Sequence, residues 1–278
     1  MKKTATLLSL VFVLGACGKT QEYSLSMSPE LAKNSANNSI VAQQSKIIGE
    51  NNLIKVKRDG SNVDSNLRPY LDAFGIISLG EGVCSGTHIG NGYVMTAGHC
   101  ILPEGQEGAL VNQGCSQIKV YWSYRGSPET GSPKPGVSLV SQCTQMIYAE
   151  RTKQKDFAIF KVDQAPSVSI PLAQSKVASG TKITIFGYPQ GRPLEWSQYC
   201  SVSGISGYNS MFGHLCDTEP GNSGSTILAI SSSGSPYVIG IHDAGASDFN
   251  VGTYLFDAIA TLKSKANLDL LAATKKFY

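Results

Sequence analysis

Residues 217–225 read Asp217-Thr218-Glu219-Pro220-Gly221-Asn222-Ser223-Gly224-Ser225, so a serine stands in the short frame Gly-Asn-Ser-Gly. Glycine adopts backbone conformations that other residues resist, and a turn built on it can point a side chain and the neighbouring N–H groups outward. That arrangement suits a nucleophile beside an oxyanion hole, where N–H groups stabilise a developing negative charge. The same composition is common in ordinary turns, so the interpretation depends on partners elsewhere in the chain.

Two motifs upstream carry the partners that a serine nucleophile requires. His99 lies in the run Thr-Ala-Gly-His-Cys, and Asp156 stands at the start of the apolar run 157–162. Serine is a weak nucleophile at neutral pH, so it needs an adjacent base and an acid that orients the base. His99, Asp156 and Ser223 follow one of the known chain orders of such a triad. We therefore expect His99 to be the base, Asp156 the orienting acid and Ser223 the nucleophile.

The same motifs supply an oxyanion hole and two rival catalytic residues. The backbone N–H groups of Gly221 and Ser223 are the expected donors to the tetrahedral oxyanion. Asp163 is an alternative acid, but it lies at the far end of the apolar run. Ser225 is an alternative nucleophile, but it lacks the glycine frame.

Together, the motifs around His99, Asp156 and Ser223 resemble those of the trypsin-type serine endopeptidases, which have the chymotrypsin fold. The resemblance spans residues 47 to 260. It implies an all-β fold of two six-stranded antiparallel Greek-key barrels, with the active site in the cleft between them. It also implies hydrolysis of protein or peptide substrates through an acyl-enzyme, without a cofactor.

The pattern of apolar residues also favours an all-β chain. The sequence has 29 glycines and 12 prolines among many short apolar runs, which is typical of strands joined by turns. Beyond Phe256, the residues Ile259, Leu262 and Ala266 recur at helical spacing and predict a C-terminal helix. Residues 126–136 are rich in glycine, proline and serine and predict an exposed loop. The predicted strands are 74–79, 86–89, 93–97, 118–122, 157–162, 183–186, 226–230 and 237–242.

Charge and composition argue against other classes of protein. The net charge is only +3 and no long basic run is present, so we expect no nucleic-acid partner. No cysteine and histidine residues stand at the tight spacing of a metal site, and we expect none. A monomer is the default expectation.

The N-terminus has the features of an export signal. Lys2 and Lys3 precede the apolar run 5–14, which is too short to span a bilayer. The sequence Leu-Gly-Ala before Cys17 resembles the signal of bacterial lipoproteins, which implies cleavage after residue 16 and a lipid on the Cys17 sulfur. An ordinary secretory signal is the alternative. Gly18 implies, by the same resemblance, the outer membrane of a Gram-negative-type cell, with the lipid as the only membrane contact.

Three segments follow from this reading of the chain. Residues 1–16 form the signal peptide, and the polar residues 17–46 form a lipid-anchored tether or a propeptide. Residues 47–278 form the protease domain. Cleavage before Ile47 would release that domain from its anchor into the surroundings.

The cysteine count indicates disulfide bonds. Of seven cysteines, Cys17 is the expected lipidation site, and the remaining six are an even number in an exported domain. The family resemblance implies a bridge from Cys84 to Cys100 around His99. The nearest-neighbour pairing of the others is Cys115 with Cys143 and Cys200 with Cys216, although other pairings are possible.

Within the family, the chain most resembles the bacterial glutamyl endopeptidases. Asn222 precedes the nucleophile as in that family, Thr218 lies five residues before it, and His242 follows Gly-Ile in the expected pocket strand. The resemblance implies that Thr218 and His242 bind a substrate carboxylate. It further implies that the new amino group of Ile47 joins them after the preceding segment is removed.

Several residues leave cleavage after lysine or arginine open as an alternative. Asp217 lies six residues before Ser223, where trypsins hold the acid that binds a basic side chain. Glu219 would place a second acid nearby, and Lys46 is itself a trypsin-like cleavage point. We expect His214 at the surface, with support of the pocket as the alternative, and His88 in a structural role. A third possibility is an inactive binding module, although all three triad residues are present.

Overall fold

The computed structural model describes residues 45–79, 82–102, 105–106, 108, 114–126, 136–205 and 210–274. The predicted signal peptide, Cys17, nearly all of the tether and most of the loop 126–136 lie outside these residues. Within the described part of the chain, strands dominate and form two closed barrels. A short strand β1, Ile54–Lys55, pairs with the second barrel along its edge.

The first barrel comprises the strands β2 to β7. Around the closed barrel they follow the order β2-β3-β4-β7-β6-β5, with every pair antiparallel. Three consecutive strands lie side by side and the chain then crosses back to lie beside the first of them, which is a Greek-key connection. The strands are β2 Phe74–Ser78, β3 Val83–Gly90, β4 Tyr93–Thr96, β5 Lys119–Trp122, β6 Leu139–Arg151 and β7 Asp156–Val162.

The second barrel repeats this arrangement with β8 to β13. The strands follow the order β9-β10-β13-β12-β11-β8, and pairing of β8 with β9 closes the circle. The strands are β8 Lys182–Gly187, β9 Glu195–Ile205, β10 Met211–His214, β11 Thr226–Ile230, β12 Pro236–Gly245 and β13 Asn250–Tyr254. The two closed antiparallel barrels confirm the predicted chymotrypsin-like fold.

All eight predicted strands are present, with ends that differ by up to three residues from the prediction. The sequence did not predict β1, β6, β9, β10 or β13. In β6 and β9, polar residues alternate with apolar ones, and shifts of register interrupt the alternation. A β-bulge moves the apolar positions to the other face of the strand, so the simple period of two no longer marks it.

The chain ends in two helices that pack on the barrels. The helix α1, Leu255–Lys265, confirms the predicted C-terminal helix, and it buries Leu255, Ala258 and Leu262. A second short helix, α2 Leu270–Thr274, was not predicted. No helix in the described part of the chain has the length and apolar character needed to cross a membrane.

Aromatic and hydroxyl side chains join the two barrels. The rings of Phe74 and Phe186 stack with centroids 4.9 Å apart, and the Tyr188 hydroxyl donates to the Phe74 carbonyl at 2.9 Å. The hydroxyls of Thr87 and Thr226 lie 2.9 Å apart in the same interface. These contacts fix the two walls of the cleft relative to each other.

Three disulfide bonds are formed in the structure. Cys84 pairs with Cys100, Cys115 with Cys143, and Cys200 with Cys216. All three pairs are those predicted. The first two bridges belong to the first barrel, and the third links β9 to the residue two positions beyond β10.

Candidate active site

The first barrel brings His99 and Asp156 into direct contact. His99 lies in the 3₁₀ turn Gly98–Cys100 that follows β4, and Asp156 is the first residue of β7. The His99 Nδ1 lies 2.7 Å from Asp156 Oδ2, and the His99 backbone N–H donates to Asp156 Oδ1 at 2.7 Å. Because an ionised carboxylate only accepts hydrogen bonds, Nδ1 carries the hydrogen and Nε2 is left as the basic atom.

Glycine places Ser223 in a sharp turn against the first barrel. Gly221 and Gly224 have φ angles of +98° and +84°, which other residues adopt at a cost. A methyl group on Gly221 would lie 2.6 Å from the Tyr188 carbonyl oxygen, and one on Gly224 would collide with the Ser85 carbonyl. The glycine frame recognised in the sequence is thus required both by backbone conformation and by close packing.

Ser85 of β3 fixes this turn from across the cleft. Its N–H donates to the Ser223 carbonyl at 2.8 Å, and its hydroxyl donates to the Gly221 carbonyl at 2.9 Å. The same hydroxyl accepts the Tyr188 N–H at 2.9 Å. The adjacent Cys84 is bridged to Cys100, the residue after His99. One strand therefore positions both the turn of the histidine and the turn of the serine.

The Ser223 hydroxyl makes no hydrogen bond with any residue that the structure describes. Its backbone carbonyl lies 3.9 Å from the Cys100 sulfur, so the serine and the histidine turn are neighbours. Hydrogen bonds of a catalytic serine are often long before substrate binds. The structure thus joins His99 to Asp156 and brings Ser223 to the same edge of the cleft.

The backbone around Ser223 leaves two N–H groups unused. Within the described residues, the N–H groups of Gly221 and Ser223 donate to no protein acceptor, whereas Asn222 and Ser225 donate within the turn at 3.0 and 2.9 Å. Two unused N–H groups at a turn of this kind can bind an oxyanion.

The rival residues lie elsewhere. Asp163 accepts the N–H groups of Gln142 and Gln164, each at 2.8 Å, at the end of β7 remote from His99. Ser225 is fully buried, so it cannot meet a substrate. His88 is held by the Val168 carbonyl at 2.7 Å in the first barrel, which agrees with a structural role.

Two buried histidines lie beside the Ser223 turn, where the sequence predicts the substrate pocket, and the Gly224 N–H donates to the His242 carbonyl at 2.9 Å. His242 of β12 and His214 of β10 are both fully buried, and their rings join through His242 Nδ1 and His214 Nε2 at 3.1 Å. The expectation of a surface position for His214 is wrong. Along β10, His214 lies two residues after Phe212, which is also fully buried, so both side chains face the interior of the barrel.

Burial keeps both rings neutral. It lowers the pKa of His214 to about 3, and burial with the neighbouring His214 and His99 holds the pKa of His242 well below its usual range. Nδ1 of His214 has no partner within the described structure. If His214 donates to His242, that atom is only an unused acceptor and not a buried N–H. We therefore assign the hydrogen of His242 to Nε2, which points it into the pocket.

The segment before the first barrel already occupies this pocket. His242 Nε2 lies 2.9 Å from the Ser45 hydroxyl. The Lys46 N–H donates to Asn250 Oδ1 at 2.9 Å and lies 3.3 Å from Thr218 Oγ1. In return, the Lys46 carbonyl accepts from Asn250 Nδ2 at 2.7 Å and from the Thr218 N–H at 3.1 Å.

In the uncleaved chain, the backbone nitrogen beside Thr218 and Asn250 is that of Lys46, one residue before Ile47. No hydrogen bond joins Ile47 to Thr218 or His242 in the described structure. Asn250, which holds both backbone groups of Lys46, was not predicted. Its identity as the first residue of β13 gives no signal in the sequence, because a polar residue there is also typical of a turn.

Asp217 serves this N-terminal segment rather than the pocket. It is buried, with Oδ1 accepting the Ile48 N–H at 2.6 Å and Oδ2 accepting the Asn52 N–H at 2.7 Å. A third contact comes from the Asn52 side-chain amide at 3.2 Å. Both oxygens of Asp217 are thus directed to the segment 48–52.

Glu219, the second acid near the pocket, is also engaged. Its Oε2 accepts from Arg192 Nη1 at 2.9 Å and from Gln190 Nε2 at 2.8 Å. The same arginine also donates to both carboxylate oxygens of Glu195, at 2.8 and 3.1 Å, so its single positive charge is shared by two carboxylates. Within the described residues, no group of three histidine, cysteine, aspartate or glutamate side chains is arranged to hold a metal ion.

Comparison with known proteins points to the same chemistry. A family model described as the trypsin-like peptidase domain matches residues 82–241. A solved structure of a Glu endopeptidase in complex with MPD is similar, with a TM-score of 0.58 and 24% identity over 79% of this chain and 98% of that one.

Two further solved structures have the same fold. The Rv3671c protease in an inactive form has a TM-score of 0.52 and 16% identity, covering 73% of this chain and 93% of that one. A serine-to-alanine mutant of Rv3671c from M. tuberculosis H37Rv gives 0.52 and 16%, with 74% and 91% covered. No curated protein sequence matches this chain.

Proposed function

The chain belongs to the trypsin-like peptidase family, and from this premise we propose that it is an exported serine endopeptidase that cleaves after glutamate, or after aspartate. The observation that carries the specificity is the occupation of Asp217, whose two oxygens accept the N–H groups of Ile48 and Asn52. The acid that would select lysine or arginine is thereby withdrawn from the pocket. What remains at the pocket is a hydroxyl and an imidazole.

We assign the chemistry to His99, Asp156 and Ser223. His99 Nε2 takes the Ser223 proton as the hydroxyl oxygen attacks the scissile carbonyl, and it returns that proton to the leaving amine. Asp156 stabilises the imidazolium through Nδ1. The N–H groups of Gly221 and Ser223 bind the oxyanion, and each such donor contributes about 3 kcal/mol to the transition state. Water then hydrolyses the acyl-enzyme by the same steps.

The pocket would bind a substrate carboxylate through two side-chain donors. The His242 Nε2–H and the Thr218 hydroxyl can each donate to it, with His242 supported from behind by His214. Both imidazoles are neutral because burial lowers their pKa. A buried carboxylate needs an opposite charge, so the side chains here are insufficient by themselves.

The missing positive charge would come from a new chain terminus. The Lys46 nitrogen lies beside Thr218 and Asn250, and the Ser45 hydroxyl forms a hydrogen bond with His242 Nε2. Cleavage between Ser45 and Lys46 would convert that nitrogen into an ammonium group and remove the competing hydroxyl. We therefore place the activating cut before Lys46, one residue earlier than the sequence motif indicates.

Export and lipidation are proposed from the sequence. The signal-like residues 1–16 and the cysteine at position 17 support an outer-membrane lipoprotein whose domain is released when the tether is cut. The three disulfide bonds agree with an oxidising compartment.

The decisive experiment compares three forms of the enzyme on one peptide panel. The forms begin at residue 18, at Lys46 and at Ile47, and the peptides differ only in the residue before the scissile bond: Glu, Asp, Lys, Arg or Leu. We expect the form that begins at Lys46 to cleave after Glu at least about tenfold faster than the other forms. Ser223→Ala is the control for contaminating activity.

Two results would contradict the proposal. Preference for Lys or Arg would mean that Asp217 turns toward the substrate in the mature enzyme. Absence of cleavage above the Ser223→Ala control in all three forms would favour the inactive binding module. A preference for Glu that survives His242→Ala would remove His242 from the pocket while leaving the catalytic assignment intact.

A further inference from the structure

A second carboxyl group lies behind the triad. Asp243 follows His242 in β12 and is only 4% exposed. The pairing of β12 with β13 shifts at this point, because His242 opposes Gly252 and Ala244 opposes Val251. Asp243 is thus the extra residue of a β-bulge, a feature that re-aims a side chain.

One hydroxyl connects this carboxyl to the triad aspartate. Asp243 Oδ2 accepts from the Thr253 hydroxyl at 2.8 Å, and the oxygen of that hydroxyl accepts the Asp156 N–H at 2.9 Å. The second oxygen of Asp243, Oδ1, has no hydrogen-bond partner within the described structure although it is buried. Asp156 itself directs both carboxylate oxygens to His99.

Two ionised carboxylates at this site would be unfavourable. Burial, and next the charge of Asp156, raise the pKa of Asp243 well above its usual range, while the Thr253 hydrogen bonds act in the opposite direction. A buried carboxylate with one unpartnered oxygen carries a large desolvation cost. The neutral acid carries a smaller cost, because only an uncharged O–H on Oδ1 is then without a partner.

The other charged groups near these elements have partners of their own. On α1, Asp257 is paired with Lys176 at 2.6 Å. Lys155, next to Asp156, donates to the Thr261 hydroxyl at 2.8 Å. His242, the neighbour of Asp243 in β12, is neutral. Asp156 is therefore the charge that acts on Asp243.

We propose that Asp243 is a positioning residue of the triad: a neutral carboxylic acid that, through the Thr253 hydroxyl, holds Asp156 in the orientation in which both of its oxygens bind His99. The proposal rests on the catalytic assignment of His99 and Asp156. The two carboxyl groups then carry one negative charge, which is on Asp156, and one proton, which is on Asp243. Asp156 thus stays the sole anion behind the imidazole.

The test combines two substitutions at Thr253 with one at Asp243. Thr253→Val keeps the shape but removes the hydroxyl, so Asp156 loses the acceptor of its buried N–H. We expect kcat to fall about tenfold with KM little changed, and the pKa of His99 to fall because its carboxylate partner is displaced. Thr253→Ser keeps the hydroxyl and should recover most of both values.

Asp243→Asn tests the protonation state. The amide has the size of the neutral acid and carries no charge, so the pKa of His99, measured by NMR in the Ser223→Ala background, should move by less than about 0.3. A fall of about one unit would show that a carboxylate had been removed and would overturn the proposal. An unchanged kcat and His99 pKa in folded Thr253→Val would overturn it as well.

The NMR measurement needs no turnover. Failure of the proposed peptidase activity, seen as wild type equal to Ser223→Ala, is therefore separate from failure of this inference. If Asp243→Asn does not fold, as judged by its thermal melt, the Thr253→Val and Thr253→Ser pair still decides between the outcomes.

Discussion

His214 affects the protonation of His242, the histidine that we propose binds the substrate. His214 is buried behind His242 and lies 3.1 Å from it, and burial lowers the pKa of His214 to about 3. In the unfolded chain the same side chain titrates near its ordinary value of 6.5. Folding therefore requires the neutral form.

This difference predicts a loss of stability in acid. The folded pKa is depressed, so the contribution of neutral His214 is complete above 6.5 and is lost as the pH falls toward about 3. Because the unfolded chain binds one more proton than the folded chain in this interval, the free energy of unfolding falls by about 1.4 kcal/mol for each pH unit. His214→Gln keeps a donor for His242 but does not titrate, so its free energy of unfolding, from urea titrations across pH 7 to 4, should fall less steeply. Equal slopes in both proteins would contradict the prediction.

A second prediction concerns the effect of Asp217 on substrate specificity. Asp217→Asn keeps the shape but weakens the hydrogen bonds to Ile48 and Asn52, which loosens the segment that carries the Lys46 nitrogen. We expect cleavage after Glu to fall about tenfold, since hydrogen bonds to a charged group contribute about 1.5–3 kcal/mol. No change is expected for peptides with Lys, measured on the same panel. A large loss confined to Lys peptides would return Asp217 to the pocket.

The sequence predicted the site unevenly, and strand geometry explains the difference. His99, Asp156 and Ser223 stand in short motifs whose residues are needed for chemistry and for backbone conformation at once. Asp243 faces inward because it is the extra residue of a bulge in β12, and His214 faces inward with Phe212 in β10, a four-residue strand that the sequence did not predict. A period of two along a strand cannot show a bulge, so the position of Asp243 requires the three-dimensional pairing.

Strand β3 is the element on which the cleft depends. It carries Cys84, which is bridged to the histidine turn, and Ser85, whose hydroxyl bonds the Gly221 carbonyl and the Tyr188 N–H. The sequence predicted the middle of this strand but gave Ser85 no role. Serine in a strand is an ordinary surface residue until the second barrel is placed against it.

Comparing Ser85→Ala with Thr87→Val should distinguish an effect of Ser85 on activity from its effect on stability. It leaves a buried N–H and a buried carbonyl without these partners, which costs about 2 kcal/mol of unfolding free energy, and it frees the turn of Ser223, so kcat should fall. Thr87→Val removes another hydroxyl bond between the barrels, to Thr226, without touching that turn. Similar losses of stability with a lower kcat only in Ser85→Ala would support the role of Ser85. Equal kcat values would contradict it.

At the scale of the whole molecule, the two barrels were expected from the resemblance of the three motifs to the trypsin-type endopeptidases, and the short apolar runs separately favoured an all-β chain. The anchor and the release of the domain remain predictions, since residues 1–44 lie outside the described structure. Release of the domain requires a proteolytic cut between Cys17 and Lys46.

Two measurements check this arrangement. A fatty-acid analogue should label the full-length protein and fail to label Cys17→Ala, because the lipid needs the sulfur. Sequencing of the soluble form should begin at Lys46, and the membrane form should have a blocked terminus at Cys17. Labelling that persists in Cys17→Ala, or a soluble form that begins at residue 17, would contradict the prediction.

Thr218 and Asn250 already form hydrogen bonds with the backbone of Lys46 before any bond is cut. A free ammonium ion would have to be drawn from solution and could be diluted away. Here, cleavage would create the ion at its destination, and the contacts of Asp217 with Ile48 and Asn52 would keep its effective concentration high. Maturation would then resemble the unblocking of a ligand that is already bound, and its result would be independent of how dilute the enzyme becomes after release.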